Sequence, residues 1–322
     1  MSLLGHLRRR FQPIPLWLPI SLPAPQSLVR VRLCAGSTSV DVTENQVIAA
    51  LDPLTIAMGA SAEIDAALAE RKLRLIFQDS QSGIQLGGLN LNPVENFDSG
   101  KVGLRLFATV GGSHCCISAP RRAWNRWWHA YRSRTRAPAN NFVMAAEAVQ
   151  QLLIFYICPR PVVLVSVNDG SQSNLFPMDL IGPVGTKGFT LALRNTSPSV
   201  ATLRRGQRAA LADLRPEDFE LAYRLGHHHK LVRIDTDALP FPIRRSELFG
   251  LPLPESALRI REVKITDWRE VGSHTLFLTR IVAEERRGTG RECFHTSGIH
   301  REFRLRTQGS VPWVDMRQSG LS

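Results

Sequence analysis

The spacing of hydrophobic positions in the first third of the chain indicates a mixture of strands and one short helix. Apolar and polar residues alternate, or apolar residues run together, in four segments that predict strands: 27–35, 40–50, 73–77 and 102–110. Between them, residues 61–72 follow a helical pattern, and Ser61 is a suitable N-cap. No internal repeat is visible. We therefore predict an α+β unit of uncertain fold over residues 1–115.

A basic, aromatic helix is predicted over residues 118–136. Four aromatic residues fall on one helical face: Trp124, Trp127, Trp128 and Tyr131. Six arginines lie at other positions of 121–136, and no acidic residue lies among them. We expect the tryptophan face to pack on the rest of the protein and the arginines to be solvated. The same composition leaves open contact with phosphate backbones, unpaired bases or a membrane surface.

The second half of the chain has a different pattern of predicted elements. A mostly apolar helix over 142–156 ends at Pro159 and Pro161. Strand patterns then dominate, with only two short helices, and they predict a β-barrel rather than a doubly wound sheet. The strands are expected at 162–167, 189–194, 208–212, 258–265 and 274–283, and the helices at 198–205 and 216–225. The predicted fold class is α+β, mainly β, divided into an extension over 1–140 and a domain over 141–322.

The net charge and the cysteine content limit which binding partners and which cellular compartment we expect. A net charge of +12 implies attraction to anions such as nucleotides, without choosing among them. Five scattered cysteines without CxxC spacing indicate reduced thiols and a cytoplasmic location. The proline-interrupted start, residues 1–25, predicts an extended arm rather than a signal peptide. No run of about 18 apolar residues occurs, so we expect no membrane span.

Residues 159–282 resemble the flavin reductase-like family, whose fold is an FMN-binding split β-barrel. The resemblance lies in six short pieces that occur in the family's order: Val162–Ser166, Asn174–Met178, Gly182–Pro183, Phe189–Leu193, Arg194–Ser197 and Val271–Phe277. It implies a split β-barrel with an N-terminal α+β extension, bound FMN, NADH or NADPH as co-substrate, and a homodimer. The implied activity is an FMN-dependent oxidoreductase that passes hydride from NAD(P)H through flavin to free flavin or another acceptor.

The residues in the matching pieces suit the chemistry of FMN. The flat ring needs backbone groups at its edge and an apolar wall. The candidates to supply them are Ser166, Asn174, Leu175, Phe176, Pro177 and Met178. The phosphate needs a cation, hydroxyls and free N–H groups, and a helix N-terminus favours an anion. These types occur together at Arg194, Asn195, Thr196 and Ser199. The resemblance puts His274 near the flavin and nicotinamide, as the one candidate catalytic residue.

Each assignment has a purely structural alternative. Arg194 could flank a strand at the surface, Asn174 could serve a turn, and His274 could be a half-buried strand histidine. The run His227–His229 has no cysteine or acidic residue nearby that would complete a set of metal ligands, so we predict no metal site. We expect these histidines to lie in a loop or to line the opening of the flavin site. Two other functions stay open: a non-catalytic flavin-binding module with an N-terminal interaction domain, and a nucleic-acid-associated protein using 121–136. We expect nucleic acid to be an unlikely partner.

Overall fold

The computed structural model describes residues 12–23, 28–70, 72–99, 102–135, 144–185, 188–236 and 238–316. Within these residues the fold is mainly β, with twenty strands and six α-helices. The helices are α1 (Ala62–Leu68), α2 (Ala119–Thr135), α3 (Ala146–Phe155), α4 (Pro198–Gly206), α5 (Phe219–Arg224) and α6 (Gly298–Gln308). The predicted fold class is confirmed at this level.

The N-terminal sheet has seven antiparallel strands in the order β3-β2-β6-β7-β8-β5-β4. Their bounds are β2 (Val29–Ala35), β3 (Thr38–Asp41), β4 (Val47–Leu51), β5 (Leu54–Gly59), β6 (Leu73–Asp79), β7 (Gln85–Ser99) and β8 (Val102–His114). Helix α1 follows β5, and the Ser61 side chain caps it by accepting from the Ile64 N–H. The N-cap prediction is therefore confirmed.

The C-terminal sheet also has seven antiparallel strands, in the order β11-β10-β14-β17-β18-β13-β12. Their bounds are β10 (Val163–Asn168), β11 (Ser173–Met178), β12 (Ile181–Val184), β13 (Gly188–Arg194), β14 (Arg208–Asp213), β17 (Arg259–Val271) and β18 (His274–Arg286). The edge strands β11 and β12 are consecutive and separated by Asp179 and Leu180 only. The sheet therefore curls until its edges approach, although among the described strands no ladder joins them.

The described residues also form two smaller sheets. One has the order β20-β1-β19-β9, and the other pairs β15 with β16. Their strands are β1 (Leu18–Leu22), β9 (Arg160–Pro161), β15 (Ile243–Arg245), β16 (Pro252–Pro254), β19 (Glu292–Thr296) and β20 (Val314–Asp315). Residues of α3 and α6 belong to the same hydrophobic core as the N-terminal sheet. The domain boundary at residue 140 stays a prediction.

A separate apolar layer lies between the two large sheets. It contains side chains of β4, β5 and β8 on one side and of β12, β13 and β18 on the other. Its members include Val47, Ala57, Leu106, Ala192 and Leu276, all of which are buried. Counted in chain order, these are the third, fourth and seventh strands of each large sheet, and through them the two halves of the chain pack together.

Helix α2 exposes part of the face that we predicted to be buried. Its buried side carries Asn125, which accepts a hydrogen bond from Ile14 N–H at 2.9 Å, and His129, whose Nε2 lies 3.3 Å from the Ile14 carbonyl. Trp127 and Tyr131 are 53% and 48% exposed. The expected packing of the tryptophan face is therefore met only in part: Trp124 and Trp128 are partly buried, whereas Trp127 and Tyr131 are exposed.

Helix α5 ends at Arg224, one residue before the predicted end, and a 3-10 helix follows from Leu225 to Lys230. Among the described residues, no helix is long and apolar enough to cross a membrane. All five cysteines are free thiols.

Candidate functional site

Strand β13 ends beside the start of α4, and the predicted phosphate residues lie at this junction. Arg194 is half-buried and pairs with His274 across the β13–β18 ladder, whereas Asn195 and Thr196 are exposed. Asn195 donates from Nδ2 to the Gly272 carbonyl at 2.9 Å and accepts from Thr275 Oγ1 at 3.0 Å. Burial lowers the pKa of Arg194. An anion beside this guanidinium would offset the cost of its burial.

The N-terminus of α4 receives no hydrogen bond from its own N-cap side chain. Ser197 occupies the cap position, but its hydroxyl donates to the His229 carbonyl at 3.2 Å. Ser199 is buried in the first turn, where its Oγ accepts from Asn174 Nδ2 at 3.2 Å. Arg194 thus stands next to a helix N-terminus without a side-chain cap, which fits a phosphate group.

The predicted ring residues line the edge strand β11 and its neighbour β10. Leu175, Phe176 and Met178 are buried, Pro177 is partly exposed, and Ser166 lies opposite Leu175 in the β10–β11 ladder. The buried Ser166 Oγ has no hydrogen-bond partner among the described residues. Phe176 and Met178 lie on one face of β11 and Leu175 lies on the other, so each face of the strand packs in its own apolar cluster.

The three consecutive histidines lie against this edge strand. His228 Nδ1 is 2.8 Å from the Leu175 carbonyl, and His229 Nε2 is 2.7 Å from the Pro177 carbonyl. Each of these rings holds one outward-facing carbonyl of β11, the kind of group that a ring edge would use. His227 instead contacts the Arg224 carbonyl. Within the described ranges, no group of three potential ligands is placed to hold a metal ion.

His274 is buried rather than open to a cleft. Its Nδ1 lies 2.8 Å from Ser273 Oγ, and Leu51 N–H approaches the same atom at 3.5 Å. Burial and the charge of Arg194 lower the pKa of His274 to about 4. The imidazole is therefore neutral at pH 7, and in this structure its contacts are those of a positioning residue.

A polar cluster that sequence reasoning missed lies at the end of β11. Asp179 accepts from Tyr156 Oη at 2.7 Å and from His295 Nδ1 at 2.7 Å. His295 Nε2 contacts the Tyr223 hydroxyl, and the Trp17 side chain hydrogen bonds to the same tyrosine. These residues come from five separate segments, so no local motif could have grouped them. The one local signal was that Asp179 directly follows Met178, the last predicted ring residue.

Comparison with protein families gives one match. Residues 155–300 match the model of the flavin reductase like domain, which is 45% of the chain. No curated protein sequence matches the chain at a significant level.

Solved structures of flavin-binding proteins are similar to part of the chain. The NADH:FAD oxidoreductase of Streptomyces globisporus is 22% identical with a TM-score of 0.42, covering 49% of this chain and 93% of that one. The flavin reductase component of a bacterial tryptophan halogenase is 19% identical with a TM-score of 0.41, covering 46% and 93%. An FMN-binding protein from Thermus thermophilus is 20% identical with a TM-score of 0.35, covering 40% and 72%. The family match therefore covers the same region of the chain, residues 155–300, in which the sequence motifs resemble the flavin reductase like family.

Proposed function

We propose that the C-terminal half binds FMN and acts as an NAD(P)H-dependent flavin oxidoreductase. The observation that carries this proposal is the junction of β13 and α4, where Arg194 stands beside a helix N-terminus without a side-chain cap. Charge-assisted hydrogen bonds contribute about 1.5–3 kcal/mol each, so Arg194, Thr196 and the first turn of α4 suffice to retain a phosphate. The match of 155–300 to the flavin reductase like domain supports the same ligand.

The ring would lie against the face of β11 that carries Phe176 and Met178. Contact of its polar edge with β11 requires His228 and His229 to release the carbonyls of Leu175 and Pro177. We also propose that the curled sheet forms a split barrel, since its edge strands are only two residues apart along the chain.

Bound FMN would supply the two-electron chemistry between NADH or NADPH and an acceptor. The residues of this chain then have to bind, orient and exclude water, and none has to act as an acid or base. His274, neutral at pH 7, would hold the segment beside Arg194 in place. The free thiols support the proposed cytoplasmic location.

The visible spectrum of the purified protein tests the proposal directly. FMN is added and unbound ligand is removed by gel filtration. Retained oxidised-flavin bands are the expected result, and their loss within one turnover time after adding NADH or NADPH would identify a reductase. Retained bands that do not bleach with either nicotinamide would leave a non-catalytic flavin-binding module. Absence of retention and of fluorescence quenching would contradict FMN binding.

A second candidate function rests on the exposed face of α2. Trp127 and Tyr131 stack at 5.5 Å between ring centroids with an interplanar angle of 12°, and arginines flank them without an acidic residue. Such a surface suits stacking of unpaired bases. Binding of a labelled oligo(dT) that weakens steeply with salt and is lost in Trp127→Ala would support it. Trp268→Ala, which removes another exposed tryptophan, is the matched control.

A further inference from the structure

The two seven-stranded sheets have the same connectivity. We number the strands of each sheet from first to seventh in chain order. From one edge to the other, both sheets then have the spatial order second, first, fifth, sixth, seventh, fourth, third. All neighbouring pairs are antiparallel in both. A helix joins the fourth strand to the fifth in each half, α1 after β5 and α4 after β13. The additional strands β15 and β16 pair only with each other, so they are an insertion that leaves the order unchanged.

The correspondence extends to the register of the fourth and seventh strands. In the β5–β8 ladder, Ile56 pairs with Phe107 and Ala57 with Leu106. In the β13–β18 ladder, Leu191 pairs with Phe277 and Ala192 with Leu276. Buried threonines precede both pairs, at positions 55 and 190. Beyond the fourth strand, Ala60 N–H donates to the Gly103 carbonyl at 2.8 Å, and Asn195 N–H donates to the Ser273 carbonyl at 3.1 Å.

The two halves pack through equivalent surfaces. Ala57 and Leu106 lie in the shared apolar layer together with their counterparts Ala192 and Leu276. The sixth strands also meet, where Arg269 of β17 forms an ion pair with Glu95 of β7. Contacts between like elements are those of a two-fold, isologous interface. We infer that the N-terminal sheet is a diverged duplicate of the C-terminal one, and that it takes the position of a partner subunit within a single chain.

Only one half keeps the chemistry of the candidate site. The register places Gly59 where the C-terminal half has Arg194, and Leu104 where it has His274. A side chain has no room at Gly59, because a Cβ there would lie 2.2 Å from the Gly185 nitrogen. Helix α1 is already capped by its own Ser61 side chain. Among the described residues, the candidate anion site at β13 and α4 therefore has no counterpart at the equivalent position of the N-terminal half.

The N-terminal half completes the remaining site. The β4–β5 turn docks on the β17–β18 turn through two hydrogen bonds: Asp52 N–H donates to Ser273 Oγ at 3.0 Å, and Ser273 N–H donates to the Asp52 carbonyl at 2.8 Å. A Cβ on Gly272 would lie 2.3 Å from that carbonyl, so no bulkier turn fits. Because Gly272 in turn accepts from Asn195, the docked turn positions the residues next to Arg194. The identity of the ligand as FMN rests on the proposed function.

Mass and stoichiometry of the full-length protein test this inference together. Light scattering after size exclusion is expected to give a single chain of 35.9 kDa at micromolar concentrations, with and without FMN. Calorimetric titration is expected to give one FMN per chain. A dimeric mass would overturn the replacement of a partner subunit, and two FMN per chain would overturn the single site. A monomer that binds no FMN would overturn the proposed ligand while supporting the duplicated fold.

A side-chain substitution tests whether the N-terminal turn positions the site. Ser273→Ala removes the acceptor for Asp52 N–H, together with the hydroxyl that contacts His274 Nδ1, and leaves Arg194 in place. We expect FMN to dissociate about threefold to fivefold more readily, as for one net hydrogen bond. Ser256→Ala is the matched control, since it removes one hydroxyl that donates to Asp218 away from the site. Unchanged FMN affinity in a folded Ser273→Ala protein would overturn the role of the turn.

Discussion

The Nδ1 atom of His295 lies 2.7 Å from the Asp179 carboxylate, and this contact joins β19 to the two-residue link between the edges of the C-terminal sheet. Tyr156 donates to the same carboxylate from the end of α3. Burial alone would raise the pKa of Asp179, but the hydrogen bonds from His295 and Tyr156 lower it below its ordinary value. The link that brings β11 and β12 together is therefore held by an ionised group.

Replacing Asp179 by Asn should destabilise the protein by about 1.5–3 kcal/mol at pH 7, the range for hydrogen bonds to a charged group. Because the folded-state pKa is depressed, this stabilisation is present above the unfolded value of about 3.9 and is lost as pH falls through the folded value. Urea unfolding at pH 7 and at pH 3–4 should therefore show a difference that shrinks at the lower pH. Asp98→Asn, at an exposed ion pair with Arg105, should cost less than about 1 kcal/mol.

Arg194→Ala should weaken FMN about tenfold or more and leave riboflavin nearly unaffected, because only FMN carries the phosphate. Fluorescence titration with both ligands measures the two affinities. Arg205→Ala removes a cation from the last turn of the same helix, where it pairs with Asp169, and should change neither. Equal losses for FMN and riboflavin in the Arg194 variant would remove the phosphate assignment.

Acid should destabilise the fold through its buried, neutral histidines. Burial and nearby arginines lower the pKa of His274 and His114 to about 4 and that of His300 to about 3. The unfolded chain binds protons near pH 6.5, so stability is full above that pH and falls between about 6.5 and 4, by up to about 1.4 kcal/mol per pH unit for each histidine.

His274→Gln should make that pH dependence shallower, as measured by urea unfolding between pH 7 and pH 5. Substitution of the exposed His227 by Gln serves as the control. An unchanged slope in the His274 variant would show that this imidazole is not held neutral by its surroundings.

Gly59→Ala should destabilise the packing of the two halves by about 1–3 kcal/mol, the usual cost of overpacking. Its new methyl group would meet the Gly185 nitrogen and Asn45 Oδ1 at less than 3 Å. Gly182→Ala lies nearby in β12, and its methyl group would meet only Val47 at 3.9 Å. Thermal unfolding should therefore separate the two variants, and equal midpoints would contradict the close approach at Gly59.

Several elements followed directly from local pattern. The long strands that flank Gly272 were predicted because apolar residues recur there and glycine accepts the positive φ of 49° found at the turn. By contrast, β7 was missed, since its glycines, asparagines and proline disfavour a strand. It forms because β6 and β8 supply ladders on both sides.

The sequence by itself determined the strand-rich second half, the Ser61 cap and the family pattern around Asn174 and Arg194, because backbone preferences and short motifs act over a few residues. Only the tertiary structure decided the outward face of α2, the pairing of Asp179 with His295, which are 116 residues apart, and the equivalence of the two sheets. These features depend on partners far along the chain. The duplication is retained in hydrogen-bonded strand order, which tolerates almost any side chain and therefore leaves little trace in the sequence.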